Sequence, residues 1–286
     1  FHFMNTYLPG LYIVSTPIGN LEDITFRAIN VLKNSDQILC EDTRRSLKLL
    51  NHYKIKKKLV SNHKFNEKKV LDPAIKLMES GKLISIISDA GTPLLSDPGL
   101  ILVKECIKRK INIFPIPGVS AITTAMSVSG FNEKFFFYGF LPKKQKEIEN
   151  ILESIMTYNF NIVFFIQSIK INFYIKYFKK FFKGRDIFIG REMTKIHEAF
   201  YRANLDNFSG FKKDLKGEMT VIISKNNDKN LKKDILNEVS LMSEISKYLK
   251  RYTLKDVVKL ISEKNNLPKK QVYNLCLKVK EKWKNI

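Results

Sequence analysis

One stretch of the sequence combines the residue types that hold a small ligand. Residues 89–99 contain two Asp, two Gly and two Pro directly after the apolar, β-branched run 82–88. This density of turn formers predicts a loop at the carboxyl end of a buried strand. Gly91, and Gly118 in a later loop, allow the main chain to approach a ligand closely, and Asp89 can accept hydrogen bonds from hydroxyls or turn amides. Taken alone, the stretch is equally compatible with a tight structural turn.

The motifs that would indicate several common kinds of site are missing. The first predicted strand is not followed by Gly-x-Gly-x-x-Gly, and the chain has no Gly-Lys-Ser/Thr phosphate loop. The four histidines and three cysteines do not show the spacing of a metal site, and no Ser/His/Asp arrangement stands out. Widely spaced cysteines in apolar runs are typical of reduced, structural thiols. No metal is expected.

The elements that must position these loops repeat along the first part of the chain. About 120 residues alternate strand, loop and helix five times, which predicts a mostly parallel sheet. Polar loops follow the predicted strands at Thr16–Gly19, Glu41–Arg44, Asp89–Pro93 and Pro117–Ala121. Open α/β sheets hold ligands at this edge. Asn20 followed by Asp23 resembles a capping box and predicts that the first helix begins there.

The pattern changes twice further along the chain. From about residue 131 longer aromatic strands predict a second α/β domain with a mixed sheet, and from about residue 229 the spacing is wholly helical. We therefore predict an α/β fold with domains over 4–120 and 121–228 and a basic helical extension over 229–286. Two basic helices around a tight turn are compatible with a helix-turn-helix placed against phosphate, or with an appendage that packs on its own domain or on a dimer partner.

The composition bounds the class of protein. The net charge is +22, which favours a nucleic-acid partner, but 42 Lys against only 8 Arg is also what a general bias towards lysine would produce. No apolar stretch reaches the roughly 18 residues that a membrane span needs, and the start shows no basic segment followed by an apolar one. We expect a cytosolic protein without a membrane partner.

Short segments that match a known family, in the same order along the chain, are spread over nearly its whole length. They are residues 11–25, Glu41–Arg44, Asn66–Glu67, Ser88–Pro93, Ser96–Gly99, Pro117–Gly118, Ser120–Ala121, Gly139–Pro142, Arg191–Glu192, Thr194–Lys195 and Lys216–Glu218. In these segments the chain resembles the ribosomal RNA small subunit methyltransferase I family, the 16S rRNA ribose 2'-O-methyltransferases of the tetrapyrrole methylase-like superfamily. One segment departs from the family pattern, because residues 167–171 read Gln-Ser-Ile-Lys-Ile where the family typically has Glu-Ser-x-His-Arg.

The resemblance implies a homodimeric enzyme that binds S-adenosylmethionine between two α/β domains, largely through main-chain groups. The cofactor-binding positions carried over from the family are Asp89, Ala90, Gly91, Thr92, Leu94, Ser120, Ala121, Gln167, Met193 and Met219. The implied reaction is methylation of the ribose 2'-hydroxyl of a cytidine in the decoding region of 16S rRNA, either as free RNA or in the small ribosomal subunit.

A ribose hydroxyl is a weak nucleophile at neutral pH, so positioning and a base must assist it. Asp42 and Glu192 are carboxylates in strand-end loops that could orient or deprotonate it, and Lys195 could lower its pKa or hold a phosphate. The RNA-binding candidates are Arg44, Arg45, Lys269 and Lys270. Each has a structural alternative: the charges around residue 42 could form a solvated ion-pair network, and Glu192 could lock the second domain.

Two other functions are compatible with the sequence. The first is methylation of a small molecule of the tetrapyrrole type, which belongs to a related class of enzymes. The second is a non-enzymatic RNA-binding or ribosome-assembly protein. The Ser88–Pro93 and Ser120–Ala121 loops argue against the second alternative, because a protein that only binds RNA needs no cofactor pocket.

Overall fold

The computed structural model describes residues 7–226, 241–242, 244–265 and 267–284. The chain divides into two compact units, residues 1–226 and 227–286, which are described separately. Residues 227–240 lie outside the described ranges, and with them the predicted boundary near residue 228.

The first sheet of the larger unit has five strands in the order β3-β2-β4-β1-β5, and all of its pairings are parallel. The chain alternates strand and helix through this region, as predicted. The elements are β1 (Gly10–Val14), α1 (Phe26–Asn34), β2 (Gln37–Cys40), α2 (Thr43–His52), β3 (Lys58–Ser61), α3 (Glu67–Glu79), β4 (Leu83–Ile87), α4 (Leu100–Lys108), β5 (Ile113–Ile116) and α5 (Ala121–Ser129).

Burial explains why these strands are continuous apolar runs. All five residues of β4 are buried, because helices cover both faces of the sheet. Leu32, Ile38 and Leu50 lie in the core on one face, and Ile75 and Leu102 lie in the core on the other. The sheet is thus rigid at its centre, which fixes the strand ends that carry the polar loops.

The predicted start of the first helix is wrong. Leu21–Asp23 forms only a short 3₁₀ turn, in which the Asn20 side chain accepts a hydrogen bond from the Glu22 backbone N–H. The α-helix begins at Phe26, where Thr25 Oγ1 accepts from Ala28 N at 3.1 Å. Thr25 is a regular N-cap, so two capping signals lie five residues apart and the second one starts the helix.

The second sheet has five strands in the order β6-β7-β10-β8-β9. Only the β6–β7 pairing is parallel, and the other three are antiparallel, so the predicted mixed sheet is confirmed. The elements are β6 (Phe135–Phe140), α6 (Gln145–Ile155), β7 (Asn161–Gln167), α7 (Ile171–Phe181), β8 (Asp186–Arg191), β9 (Ala199–Asn204) and β10 (Glu218–Ile223). Helices α6 and α7 pack on one face around Phe164 and Phe178, and α5 packs near Val163 and Ile222.

All the secondary structure described in the smaller unit is helical. Residues 241–242 and 244–249 are helical, followed by helices Leu254–Asn265 and Lys269–Lys284. Ile245, Val257, Ile261, Val272 and Cys276 are buried in a core of their own. Within the described ranges, no helix combines the length and apolarity that a bilayer crossing requires.

Candidate active site

A cleft with a volume of about 840 Å³ lies between the two sheets. One side, called here the first wall, consists of cleft residues that follow β1, β2, β4 and β5, within 16–21, 41–49, 89–97 and 120–122. The other side, the second wall, consists of cleft residues of β6, β7, β8 and β10 and the turns at their ends, up to residue 220. The first wall therefore occupies the edge where parallel α/β sheets hold ligands.

Hydrogen bonds join the loops of the first wall into one surface. Thr16 and Gly91 form an isolated antiparallel bridge, with Thr16 N donating to Gly91 O at 2.9 Å and Gly91 N donating to Thr16 O at 3.0 Å. Ser88 Oγ donates to the carbonyls of Ala90 and Gly91, and Thr92 Oγ1 donates to Val119 O at 3.2 Å. The loops after β1, β4 and β5 are thus held in fixed positions.

Gly91 is required by the local backbone. Its φ is +78°, a left-handed conformation that glycine adopts without strain. A Cβ at this position would lie 3.3 Å from Ile18 Cγ2, so even an alanine would press on the neighbouring loop. The bare main chain of residue 91 therefore faces the cleft, as expected where a ligand is held by backbone groups.

Three carboxyl groups lie together on the first wall. Asp89 Oδ1 accepts from Asp42 N at 3.1 Å, and Asp89 Oδ2 lies 3.2 Å from Arg45 Nη1. Burial raises the pKa of Glu41, with the charge of Asp89 as the next contribution. The pKa of Asp97 is raised to about 7, chiefly by burial and then by the charges of Glu41 and Asp89, against an opposing hydrogen bond with Ser88. At neutral pH the Asp97 carboxyl is therefore poised between its charged and neutral forms.

The two carboxylates of the second wall, Glu192 and Glu218, share one cation. Lys195 Nζ lies 2.9 Å from Glu192 Oε1 and 3.2 Å from Glu218 Oε2, and Glu218 N donates to Glu192 Oε1 at 2.9 Å. Although burial opposes it, the hydrogen bonds from Glu218 N and Lys195 lower the pKa of Glu192. The two carboxylates likewise raise the pKa of Lys195 against its own desolvation. Both groups are thereby held in their charged forms.

Glycine allows this ion pair to form. Gly217 has φ +101°, and a Cβ on it would lie 2.4 Å from Glu192 Cδ. Gly190 has the same role beneath Met193, because a Cβ there would lie 2.7 Å from Met193 Sδ. Small residues at these two positions let the Glu192 carboxylate and the Met193 thioether settle against the backbone of β8 and β10.

The two walls touch at one end of the cleft. Asn20 N donates to Thr194 Oγ1 at 3.0 Å, and a Cβ on Gly19 would lie 2.4 Å from Lys195 Cγ. The turn that carries Lys195 thus packs directly on the loop after β1. This contact sets the width of the cleft at that end.

Most of the sequence-predicted site residues line this cleft. Nine of the ten predicted cofactor positions line it. The predicted catalytic residues Glu192 and Lys195 and the predicted RNA-binding residue Arg45 line it as well. The nine are Asp89, Ala90, Gly91, Thr92, Ser120, Ala121, Gln167, Met193 and Met219. In the segment 167–171, which differs from the family pattern, Gln167 lines the cleft and Ile169 is exposed to solvent.

Other predicted residues lie elsewhere. Asp42 caps α2, accepting from Arg44 N at 2.9 Å, and pairs with the Arg44 guanidinium at 3.0 Å. These hydrogen bonds lower its pKa to about 2, which makes it a poor proton acceptor, and it does not line the cleft. Leu94 packs against Gly99, and its neighbour Leu95 lines the cleft instead. The exposed Lys269 and Lys270 belong to the smaller unit.

Sequence reasoning missed Asp97 and Glu41 as members of the site. Asp97 falls in the predicted loop, but nothing local distinguishes it from the other turn-forming residues there. Its raised pKa depends on burial and, next, on the charge of Glu41, which follows a different strand. The signal that could have found it is the pairing of β2 with β4, which places the two loops side by side. The described residues hold no cluster of His, Cys, Asp or Glu arranged to bind a metal ion.

Comparisons with known proteins agree on the fold and the family. The family model "Tetrapyrrole (Corrin/Porphyrin) Methylases" matches residues 10–209. A protein of Thermotoga maritima named ribosomal RNA small subunit methyltransferase I is 46% identical over 75% of this chain and 97% of its own length. Proteins of the same name from Halalkalibacterium halodurans and Buchnera aphidicola are 37% and 38% identical over 93% and 97% of this chain, and over 93% and 100% of their own lengths.

Solved structures share the fold at low sequence identity. Uroporphyrin-III-C-methyltransferase from Thermus thermophilus matches with a TM-score of 0.53 and 16% identity, over 76% of this chain and 93% of that chain. Diphthine synthase matches with a TM-score of 0.59 and 13% identity, over 75% and 89%. These two likenesses concern the architecture alone.

Proposed function

The chain belongs to the tetrapyrrole (corrin/porphyrin) methylase family and, within it, to the ribosomal RNA small subunit methyltransferase I group, and on this premise we propose that it methylates a ribose in 16S rRNA. In full, the reaction is transfer of a methyl group from S-adenosylmethionine to the 2'-oxygen of a cytidine. The observation that carries the proposal is the cleft, in which nine of the ten cofactor positions expected from the family come together.

The cleft fits this cofactor in size and chemistry. Its volume of about 840 Å³ is within the ordinary range of small-molecule sites. Ile18, Ile122 and Met219 offer an apolar surface for an adenine ring, and the Asp89 carboxylate suits a cationic amino acid group. When bound there, S-adenosylmethionine supplies an electrophilic methyl carbon. The bridge between Thr16 and Gly91 holds the main chain ready for contact with the ligand.

Asp97 is the residue best suited to accept the proton of the ribose hydroxyl. It lines the cleft, whereas Asp42 does not, and its pKa near 7 makes it a stronger base than an ordinary carboxylate. Glu192 is held by Lys195 and by Glu218 N, so it is less available for proton transfer. We assign Glu192 and Lys195 to positioning: together they fix the second wall across from the reacting groups.

Basic residues outside the reacting centre are proposed to hold the RNA. Arg45 and Lys48 on α2 line the mouth of the cleft, and Arg44 is exposed beside them. Lys269 and Lys270 begin the last helix of the smaller unit and are also exposed. Phosphate neutralisation by such residues gives affinity without sequence specificity. The homodimer, and the assignment of one domain to each sheet, belong to the same proposal.

The proposal is tested by methyl transfer to small ribosomal subunits that lack ribose methylation. We expect label from S-adenosylmethionine at one cytidine, in a dinucleotide that resists alkaline cleavage because its 2'-oxygen is blocked. Label on a base would contradict methylation of the ribose. No label on subunits or free RNA, while the cofactor still binds, would contradict the proposal and favour a small-molecule substrate. Failure to bind the cofactor would favour the non-enzymatic alternative.

A further inference from the structure

One aromatic ring stands out on the edge of the molecule that carries the cleft. Phe65 follows β3, and 92% of its surface is exposed. Its loop is nevertheless well fixed. His63 N donates to Asn66 Oδ1 at 2.7 Å, Asn66 Nδ2 donates to Ser61 O at 2.9 Å, and Phe65 N donates to His63 Nδ1 at 3.3 Å. The ring therefore projects from a rigid turn and has not been displaced from a core.

The loop that carries Phe65 is attached to the cleft at both of its ends. Before the ring, Ser61 Oγ donates to the carbonyl of Glu41, a residue of the first wall. After the ring, Glu67 Oε1 accepts from Gly99 N at 2.5 Å, two residues beyond the cleft-lining segment 95–97. Phe65 is thus tied by hydrogen bonds to the loops that carry Glu41 and Asp97, at the same edge of the sheet as the first wall.

The surface around the ring is basic. Four exposed lysines lie on this loop, at the start of α3 and on α2, and no ion pair involves any of them in the described part of the chain: Lys48, Lys64, Lys68 and Lys69. Lysine is among the residues depleted in protein interfaces, so a ring among lysines is poorly suited to a second copy of this chain. An exposed aromatic face among cations is instead the combination that binds single-stranded nucleic acid.

We propose that Phe65 is a stacking platform for an unpaired base of the RNA substrate, with the surrounding lysines holding the adjoining phosphates. This inference rests on the proposed function and adds a substrate-binding residue to it. Stacking on a phenyl ring tolerates any base, so Phe65 contributes affinity and register, whereas the cleft selects the reacting nucleotide.

The test compares Phe65→Ala, Phe65→Trp and Phe160→Ala in the full chain. Phe160 is a matched control, because it is a half-exposed aromatic that precedes β7, at the opposite end of that strand from the cleft residue Gln167. Binding is measured by fluorescence anisotropy with a labelled, unstructured oligoribonucleotide, and KM is measured with unmethylated small subunits. We expect Phe65→Ala to weaken binding and raise KM by about 5- to 150-fold, the range for loss of one stacked base.

The controls separate stacking from other roles. Phe65→Trp should retain or improve binding, Phe160→Ala should leave it unchanged, and affinity for the cofactor should be the same in all variants. Wild-type affinity of Phe65→Ala for the oligoribonucleotide would overturn the inference. So would a change in oligomeric state that accounts for its loss of binding, since the ring would then belong to a subunit interface. If the wild-type protein bound RNA through Phe65 but methylated none, the proposed function alone would fail.

Discussion

Glu192 on the second wall and Asp97 on the first wall are both carboxylates, but their surroundings favour opposite protonation states. On the second wall, Glu192 accepts hydrogen bonds from Lys195 and from a backbone N–H, and its charged form is favoured. On the first wall, Asp97 is half-buried near Glu41 and Asp89, and its charged form is disfavoured. A paired carboxylate stabilises the fold and is chemically inert, whereas a crowded one is costly to ionise and is ready to take up a proton. We infer from this difference that the chemistry belongs to the first wall and that the second wall supports it.

The largest expected difference between the two walls is in the rate of methyl transfer. Asp97→Asn should lower the single-turnover rate of methyl transfer by about 10²- to 10⁴-fold, the usual contribution of a general base. Its cofactor affinity should change by no more than about threefold, since the amide is nearly the same shape. The matched variant Glu218→Gln, in the exposed part of the second wall, should stay within about threefold of the wild-type rate. An equal loss of rate in the two variants would contradict the distinction between the walls.

A second substitution tests the first wall as the cofactor site. Asp89→Ala removes the acceptor of Asp42 N and the partner of Arg45, so calorimetry should show cofactor binding weakened by about 10- to 100-fold. Asp36→Ala is the control. Asp36 accepts from Leu83 N at 2.8 Å and pairs with Lys82 at 3.2 Å, before β2 and away from the cleft. Weakened binding in the control would mean that Asp89 acts only through stability.

The ion pair of the second wall is expected to contribute to the stability of the fold. Lys195→Gln leaves the Glu192 carboxylate without its counter-charge, and we expect a loss of about 1 to 2 kcal/mol, between the values for exposed and buried pairs. Because the pKa of Glu192 is lowered in the folded state, the stabilisation is present above its unfolded pKa and is lost as pH falls through the folded value. Thermal unfolding should therefore separate variant and wild type at pH 8 and bring them together in acid. Lys180→Gln, at an exposed pair, should change little.

The smallest expected effect is a gain in stability on substitution, at Asp97. The raised pKa of Asp97 means that the folded state binds its proton more tightly than the unfolded chain, so this group lowers stability as pH rises from about 4 to 7. Asp97→Asn should therefore stabilise the protein at pH 8 by about 1 kcal/mol after allowance for solvent screening, and by nothing at pH 4. Denaturant unfolding at the two pH values measures this. Destabilisation at pH 8 would show that the Asp97 carboxylate supports the structure.

Much of the fold and part of the site could be predicted from local sequence. The alternation of apolar runs with turn formers predicts the parallel sheet and the strand-end loops, because both depend on neighbours in the chain. The Asp89–Thr92 loop was found for the same reason. Asp42 shows the limit of this reasoning: an Asp at the start of α2 is also an N-cap signal, and that local role is the one the structure gives it.

The rest depends on contacts between distant segments. The order β3-β2-β4-β1-β5 places Glu41 beside Asp97, and no periodicity in either segment encodes that neighbourhood. The Glu192 ion pair requires Gly217, 25 residues further along the chain, to have no side chain. The exposure of Phe65 could not be predicted from the sequence either, since an aromatic residue after a strand is more often buried.

The role of Asp97 as the proton acceptor is best measured by the pH dependence of methyl transfer in a single turnover. The wild type and Asp97→Asn are compared with saturating cofactor and unmethylated small subunits. We expect the wild-type rate to rise with pH through an apparent pKa near 7 and to level off above it, because Asp97 must be charged to accept the proton. The variant should be slow and should lack this step. An unchanged profile in Asp97→Asn would contradict the assignment of the chemistry to the first wall.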